Sequence, residues 1–416
     1  MRRTYAFLLP LIFSACAPEP RDDQHLEGPI DGLSNEQKLL FARGDQTFER
    51  SFTPEEGLGP RFNQASCESC HPKDGAGDPT TMFFRFGRWE NDTFDALAHL
   101  GGPQLQDKAI LGVQPETLPE EANAVSGFMG LPVTGLGYLE LVPEQTLLAL
   151  EDPDDENGDG IRGRVQRIRA TDAIDRMVAR ENHGRPATNR IEKHDGHYLG
   201  RFGRKAIATS LLHQTVSALS EDMGLTTAYA PHDLYSPNDL GYPSLGSDRL
   251  LSGSGPEINA SVLNELVFYM KTLRAPERRN ENSPRVLAGE NVFEQIGCAS
   301  CHLPTLITGD APIEALSNVT FHPYTDLLLH DLGEEMNDGY TEGIAHPQEW
   351  RTTPLWGIGL RRDAQGGSLF LMHDGRATSW GEAIEYHGGE GAASRAAYRA
   401  LSEQAKQDLH AFLESL

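Results

Sequence analysis

The sequence lacks a long apolar run, is poor in cysteine, and has too few cations to balance its acids. Against 61 Asp and Glu stand 36 Lys and Arg, for a formal charge of -25 over 416 residues. A nucleic-acid surface needs the opposite balance, so no nucleic-acid partner is expected. The acidity serves solubility and, in an electron-transfer setting, attracts basic partners. The apolar stretch near the start, "YAFLLPLIFSA", is too short to span a membrane, which takes about 20 apolar residues. No later segment approaches that length. With only five cysteines in the chain, each can be considered singly. The length allows two or three domains with real cores.

The amino terminus, "MRRTYAFLLPLIFSAC", has a charged start, a short apolar run and small residues before a cysteine. Residues 1–16 therefore read as a signal peptide with a lipobox-like end. Cys16 would be the first mature, lipid-modified residue, although Phe13 stands where leucine is more usual. The alternative is an ordinary cleaved signal. Residues 17–33, polar and rich in Pro and Gly, read as a tether. The expected location is the periplasm or cell envelope, with the membrane reached through lipid on Cys16.

Four cysteines remain, in "CESCH" (Cys67, Cys70, His71) and "CASCH" (Cys298, Cys301, His302). Zinc sites use two such pairs, or a pair plus two histidines, close in sequence. Here the pairs lie far apart and nothing nearby completes either. A thioredoxin-like pair needs a βαβ setting, and no strand-rich pattern flanks either motif. Covalent c-type haem needs what each motif already has. Two thiols match the spacing of the two vinyl groups, and the next histidine bonds iron from one face. Two covalently bound c-type haems are the expected cofactors, with zinc or disulfide pairing as alternatives.

Helix signals repeat around the motifs. "AGENVFEQIG" puts Gly289 and Phe293 one turn apart, and Gly297 closes the segment. "FARGDQTFERSF" repeats the spacing with Gly44 and Phe48, after Ser34 as N-cap. This resembles the N-terminal helix of class I cytochromes c, where a small residue lets another helix cross closely and an aromatic fills the crossing. Two apolar stripes suit the crossing partners: Leu263, Leu266, Val267, Met270, and Leu409, Phe412, Leu413, Leu416. The segment "APERRNENSP" between the units reads as a linker. The expected fold is mainly α, with two cytochrome c-like helical domains, the first with long loop-rich insertions. They span residues 34–276 and 284–416.

Further stretches carry a family resemblance: "GGPQLQDKAILG", "GLGYLELVP", "DPDDENGDGIRGR", "YLGRFGRKA", "EDMGLTT", "YTDLLLHDLG", "TTPLWGIG" and "MHDGRA". With the two haem motifs they resemble the bacterial dihaem oxidoreductase family, sometimes labelled "thiol oxidoreductase". That family is related to the dihaem cytochrome c peroxidases. The thiol label has little support, since thioether bonds would consume all four cysteines.

The resemblance implies roles for single residues. In the peroxidases a His-Asp-Gly element is followed, about one helix later, by the distal ligand of the C-terminal haem. The matching position is His387, beyond a short helix with Ser379 and Glu382 as a capping pair. Met372 and His330 are its rivals. Ligation by His302 and His387 would suit an electron-relay haem. Many peroxidases also carry a displaceable histidine soon after the first motif. "TTMFFRFGRWEN" offers only Met82, with His99 and His213 further on. Either one of these histidines binds the first iron or its position is open, as peroxide activation requires. The family's acid/base glutamate is expected at Glu140, with Gln106 as a polar companion. A capping or surface role is the alternative for Glu140.

"DPDDENGDGIRGR" begins like a calcium loop, with Asp155, Asn157 and Asp159 alternating before Gly160. The twelfth position is Gln166 and no paired helices are evident, so an acidic turn without metal is equally open. Arginines of "HDGHYLGRFGRKA", beside His194 and His197, are candidates to pair haem propionates. The expected function is reduction of hydrogen peroxide or a related oxidant at the N-terminal haem. Electrons from a donor cytochrome or other small redox protein would pass through the C-terminal haem. The alternatives are a pure electron-transfer protein and an envelope accessory in iron or haem acquisition.

Overall fold

The computed structural model describes residues 28–232 and 255–416. The signal peptide, Cys16 and most of the tether lie outside the described residues. Residues 28–33 are packed rather than extended into solvent. Ile30 and Leu33 are buried, and the Ile30 N–H donates to the Thr272 carbonyl at 2.8 Å.

Two helix crossings frame the molecule. The first joins α1 (Asn35–Glu49) to α2 (Ala260–Thr272), and the second joins α3 (Pro284–Gln295) to α4 (Glu403–Ser415). The Ser34 hydroxyl caps α1 by accepting from the Gln37 N–H. Gly44 and Gly289 sit at the two contacts. A methyl at Gly44 would collide with the Glu265 carbonyl, and one at Gly289 with the Asp408 carbonyl. Aromatic rings fill the space beside each glycine. Phe48 and Tyr269 have centroids 5.3 Å apart, and Phe293 and Phe412 5.1 Å. Both apolar stripes are buried as the helical spacing requires.

Between the crossings the chain departs from the mainly α expectation, because helix and sheet are mixed. The aromatic run after the first Cys-x-x-Cys-His motif forms β1 (Phe83–Glu90). It pairs antiparallel with β2 (Thr93–Asp95), β3 (Gln104–Leu105) and β4 (Ala124–Phe128). Asn91 and Asp92 make the tight hairpin turn, both with positive φ, a conformation these residues tolerate. A short hairpin of β5 (Leu329–Asp331) and β6 (Glu349–Arg351) lies beyond the second motif.

The cores also cross the expected helical division. Leu306, Phe321, Leu327, Leu328 and Trp356 follow the second motif in sequence but pack into the core built around the first. A separate core joins Val286 and Phe293 to Trp380, Leu409 and Phe412. Among the described residues, no helix is long and apolar enough to cross a membrane.

Candidate functional site: two cavities on a shared wall

Each Cys-x-x-Cys-His motif is wound into one turn against a large cavity. The Cys67 carbonyl accepts from the Cys70 and His71 N–H groups at 3.1 and 3.0 Å, and the Cys298 carbonyl from the His302 N–H at 3.0 Å. Both cysteines and the histidine of each motif line that motif's cavity. The cavities enclose 1460 and 1440 Å³ of empty space, part of it open to solvent.

The histidines are prepared as ligands. His71 Nδ1 lies 2.7 Å from the Leu131 carbonyl, and His302 Nδ1 lies 3.0 Å from the Tyr324 carbonyl. A carbonyl can only accept, so each Nδ1 carries the proton and each Nε2 keeps its lone pair. Burial pushes both imidazole pKa values down to about 4, which keeps them neutral.

The sulfurs do not suit the competing chemistries. Burial pushes the Cys67, Cys70 and Cys298 thiols up to about 12 and raises Cys301 as well. A redox-active dithiol needs the opposite shift. Among the described residues, Cys301, Asp326 and His330 converge closely enough to suggest a metal. Both His330 nitrogens already face carboxylates, however: Asp326 at 2.8 Å and Glu390 at 2.6 Å.

The cavities meet at a wall of buried guanidinium groups. Arg204, Arg351 and Thr353 line both. Arg204 donates to the Met129 carbonyl at 2.8 Å and the Met372 carbonyl at 3.2 Å. Burial, with Arg361 and Arg351 nearby, pulls its pKa well below the usual value. Burial alone lowers Arg361 to about 10. Arg361 Nε, His373 Nδ1 and Gln214 Oε1 are buried without hydrogen-bond partners, and all three residues line one cavity or the other. Buried cations and orphaned polar atoms are costly until something pairs with them. A flat apolar ring with two carboxylate arms meets these needs. Haem therefore fits each cavity, with Arg204 and Arg351 placed to meet its propionates. Phe128 of the first cavity lies 6.0 Å from Trp350 of the second, which stacks on His373 at 3.9 Å.

His387 lines the second cavity, with its ring centroid 6.4 Å from that of His302. Its Nδ1 donates to the Ala383 carbonyl at 2.7 Å and leaves Nε2 free. A metal–imidazole bond is about 2 Å, with the ring centroid roughly 1 Å further, so two imidazoles on one ion stand about 6 Å apart. His302 and His387 meet that spacing. Met372 also lines this cavity.

The first cavity is different. Among the residues lining it, His71 is the sole histidine. Met82, His99 and His213 lie elsewhere, while Met129, Met223 and Met270 reach it. Glu140 and Gln106 do not line it. Glu140 is buried against Arg185 at 2.6 Å, Lys271 at 3.1 Å and the Leu211 N–H at 2.6 Å. The Gln106 amide donates to the Glu221 carbonyl at 2.9 Å. Among the polar residues that do line the cavity, Arg85, Gln214, Asp222 and Glu342 were missed from sequence. Arg85 pairs with Glu342 and, at 2.6 Å, with Glu221. Burial raises the Asp222 pKa, only partly opposed by the Gln104 amide and Arg85.

The calcium candidates turn inward on their own loop. Asp155, Asn157 and Asp159 accept backbone N–H groups of Gly160, Asp159 and Ile161 at 3.0, 2.8 and 2.8 Å. His194 pairs with Glu144 at 2.9 Å, and neither His194 nor His197 lines a haem cavity.

The sequence profile of a family described as "Di-haem oxidoreductase, putative peroxidase" matches residues 115–416. The chain belongs to this family. It is thus an oxidoreductase of the di-haem, peroxidase-like class, as the scattered motifs imply. The first Cys-x-x-Cys-His lies ahead of the matched residues, so the first cavity brings residues from outside the match onto those inside it. No curated protein matches the chain.

Three solved structures overlap this di-haem oxidoreductase loosely. Kuenenia stuttgartiensis hydrazine synthase is 13% identical, over 100% of both chains, with a TM-score of 0.40. A MauG-like protein associated with microbial copper homeostasis is 14% identical, over 99% of this chain and 95% of its own, with 0.37. The diheme peroxidase BthA from Burkholderia thailandensis is 15% identical, over 91% and 86%, with 0.38.

Proposed function

We propose that the protein reduces hydrogen peroxide, or a related oxidant, at the first cavity with electrons relayed through the second. The observation that carries this is the asymmetry between the cavities. The second offers two imidazoles 6.4 Å apart. The first offers one imidazole and a set of buried carboxylate and guanidinium groups. A group ligated on both faces passes electrons, and one ligated on a single face leaves room for an oxidant.

Thioether bonds at Cys67 and Cys70, and at Cys298 and Cys301, would fix the haems covalently, with His71 and His302 as first ligands and His387 as second. Haem, when bound, supplies the electrons that break the O–O bond. The chain supplies the rest. Arg85, held between Glu221 and Glu342, presents positive charge at the cavity wall. Asp222 has a raised pKa and can carry a proton from one peroxide oxygen to the other. Asp222 and Glu342 take the place that the family resemblance suggested for Glu140. Each turnover uses two electrons and two protons to convert one peroxide to two waters. A small redox protein with a basic face is the fitting donor for a chain of charge -25. Export, lipid attachment at Cys16 and a place in the cell envelope belong to the same proposal, because covalent haem attachment occurs in exported proteins. Asp155, Asn157 and Asp159 each accept one backbone N–H of their own loop, and the second carboxylate oxygens of Asp155 and Asp159 would remain to hold a calcium ion.

The test is electron paramagnetic resonance of the ferric protein beside a peroxide assay with a reduced cytochrome or dye as donor. One high-spin and one low-spin haem, with peroxide consumed, is the expected result. Asp222→Asn should lower kcat/KM by roughly 10²–10⁴-fold at unchanged haem content. Two low-spin haems and no peroxide turnover would leave only an electron carrier.

A further inference from the structure

The loop that carries His387 over the second cavity holds itself only by short-range bonds, from the His387 N–H to the Ile384 carbonyl at 3.0 Å, His387 Nδ1 to the Ala383 carbonyl at 2.7 Å and the Gly391 N–H to the Gly388 carbonyl at 2.8 Å. It joins the helix Trp380–Glu385 to the helix Ala392–Ala400, and Gly388, Gly389 and Gly391 are half of its residues. Glycine leaves a backbone free to take many conformations, and ordering it costs more than for other residues. The one side chain among those glycines is Glu390, and its carboxylate is fully engaged. Oε2 accepts from His330 Nδ1 at 2.6 Å and the Arg162 N–H at 3.0 Å, and Oε1 accepts from the Asp331 N–H at 3.1 Å.

His330 extends the connection to the other side of the cavity. Its Nε2 lies 2.8 Å from Asp326 Oδ2. The Asp326 N–H donates to the Cys301 carbonyl at 3.0 Å. Two residues earlier, the Tyr324 carbonyl accepts from His302 Nδ1. Hydrogen bonds and short backbone links thus run from the loop of His387, through Glu390, His330 and Asp326, to the motif holding His302. Both His330 nitrogens face carboxylates, so both donate and the ring is an imidazolium. Burial opposes that charge, but Asp326 and Glu390 outweigh it and hold the pKa well above the usual value. Charge-assisted bonds of this kind are about twice as strong as neutral ones. The loop also lies against the end of β5 so closely that a methyl at Gly389 would strike the Asp331 carbonyl.

We propose that Asp326, His330 and Glu390 form a clasp that holds His387 in place over the second cavity. They are positioning residues: they touch the loop and the haem motif and act through His387. This rests on the reading of His387 as the second ligand there. Without the clasp the Gly-rich loop samples open positions and the ligand site empties for part of the time.

The experiment uses the full-length, haem-loaded protein and two readouts, the ferric spin state of the second haem and carbon monoxide uptake after reduction. Wild type should take up carbon monoxide at one haem only. His387→Ala should open the second haem, and failure to do so would remove the ligand reading itself. Given that control, Glu390→Ala and His330→Gln should raise carbon monoxide uptake at the second haem about tenfold or more. A matching high-spin signal should appear. Glu390→Gln keeps the shape and an acceptor oxygen, so it should fold in any case and show a smaller rise. If His387→Ala opens the site while Glu390→Gln and His330→Gln leave uptake and spin state as in wild type, the clasp is disproved.

Discussion

Glu140 shows how a residue type can point to chemistry while its surroundings assign it elsewhere. Burial alone would raise its pKa, but Lys271 and Arg185 pull it down to about 2. A carboxyl that stays ionised, away from the cavity, cannot hand a proton to peroxide at neutral pH. Its contribution is structural, and the sign follows from the depressed pKa. The stabilisation is complete above the ordinary value of 4.5 and is lost as pH falls toward 2. Glu140→Gln should destabilise the protein by about 3 kcal/mol at pH 7, since it strands buried cations, with Glu181 left as their remaining partner. Denaturation midpoints at pH 7 and near pH 2 should show that gap closing in acid. Peroxide turnover per folded haem should be unchanged, and a loss of turnover at normal stability would return Glu140 to the chemistry.

At the scale of elements, spacing and caps made the helices readable. Gly44 with Phe48, and Gly289 with Phe293, are local patterns, and the stripes that cross them are periodic. The strands were missed although a signal was present. "FFRFGRWENDTFD" alternates aromatic and polar residues around Asn-Asp, a hairpin signature. The Gly289 crossing can be tested directly. Gly289→Val must push the Asp408 carbonyl aside and should cost about 1–3 kcal/mol or more. Leu287→Ala, at a position 46% exposed on the same helix, should stay within about 0.5 kcal/mol. Thermal melts followed by circular dichroism would compare the two, and equal effects would mean that the close crossing is not what holds α3 to α4.

For the whole molecule, the shared wall decides how the two cavities influence one another. Arg204 faces both, so its charge favours the reduced form on each side. Arg204→Met should lower both haem potentials together by tens of millivolts, on a scale where about 59 mV is tenfold for one electron. A spectroelectrochemical titration reads this, and a shift confined to one haem would place Arg204 on one side only.

Features that depend on neighbours along the chain were legible in the sequence: two Cys-x-x-Cys-His motifs, the crossing helices and their glycines, the Ser34 cap, and the family. The sulfur spacing and the 3.6-residue period are local quantities, so a string of letters carries them whole. Which polar groups reach each cavity depends on packing between segments far apart in the chain. Arg85 and Glu342 meet across most of the chain, Arg204 and Arg351 share a wall, and Glu390 reaches back to His330. Burial sets the charge state of such groups, and burial arises from packing between distant segments, for which spacing holds no record.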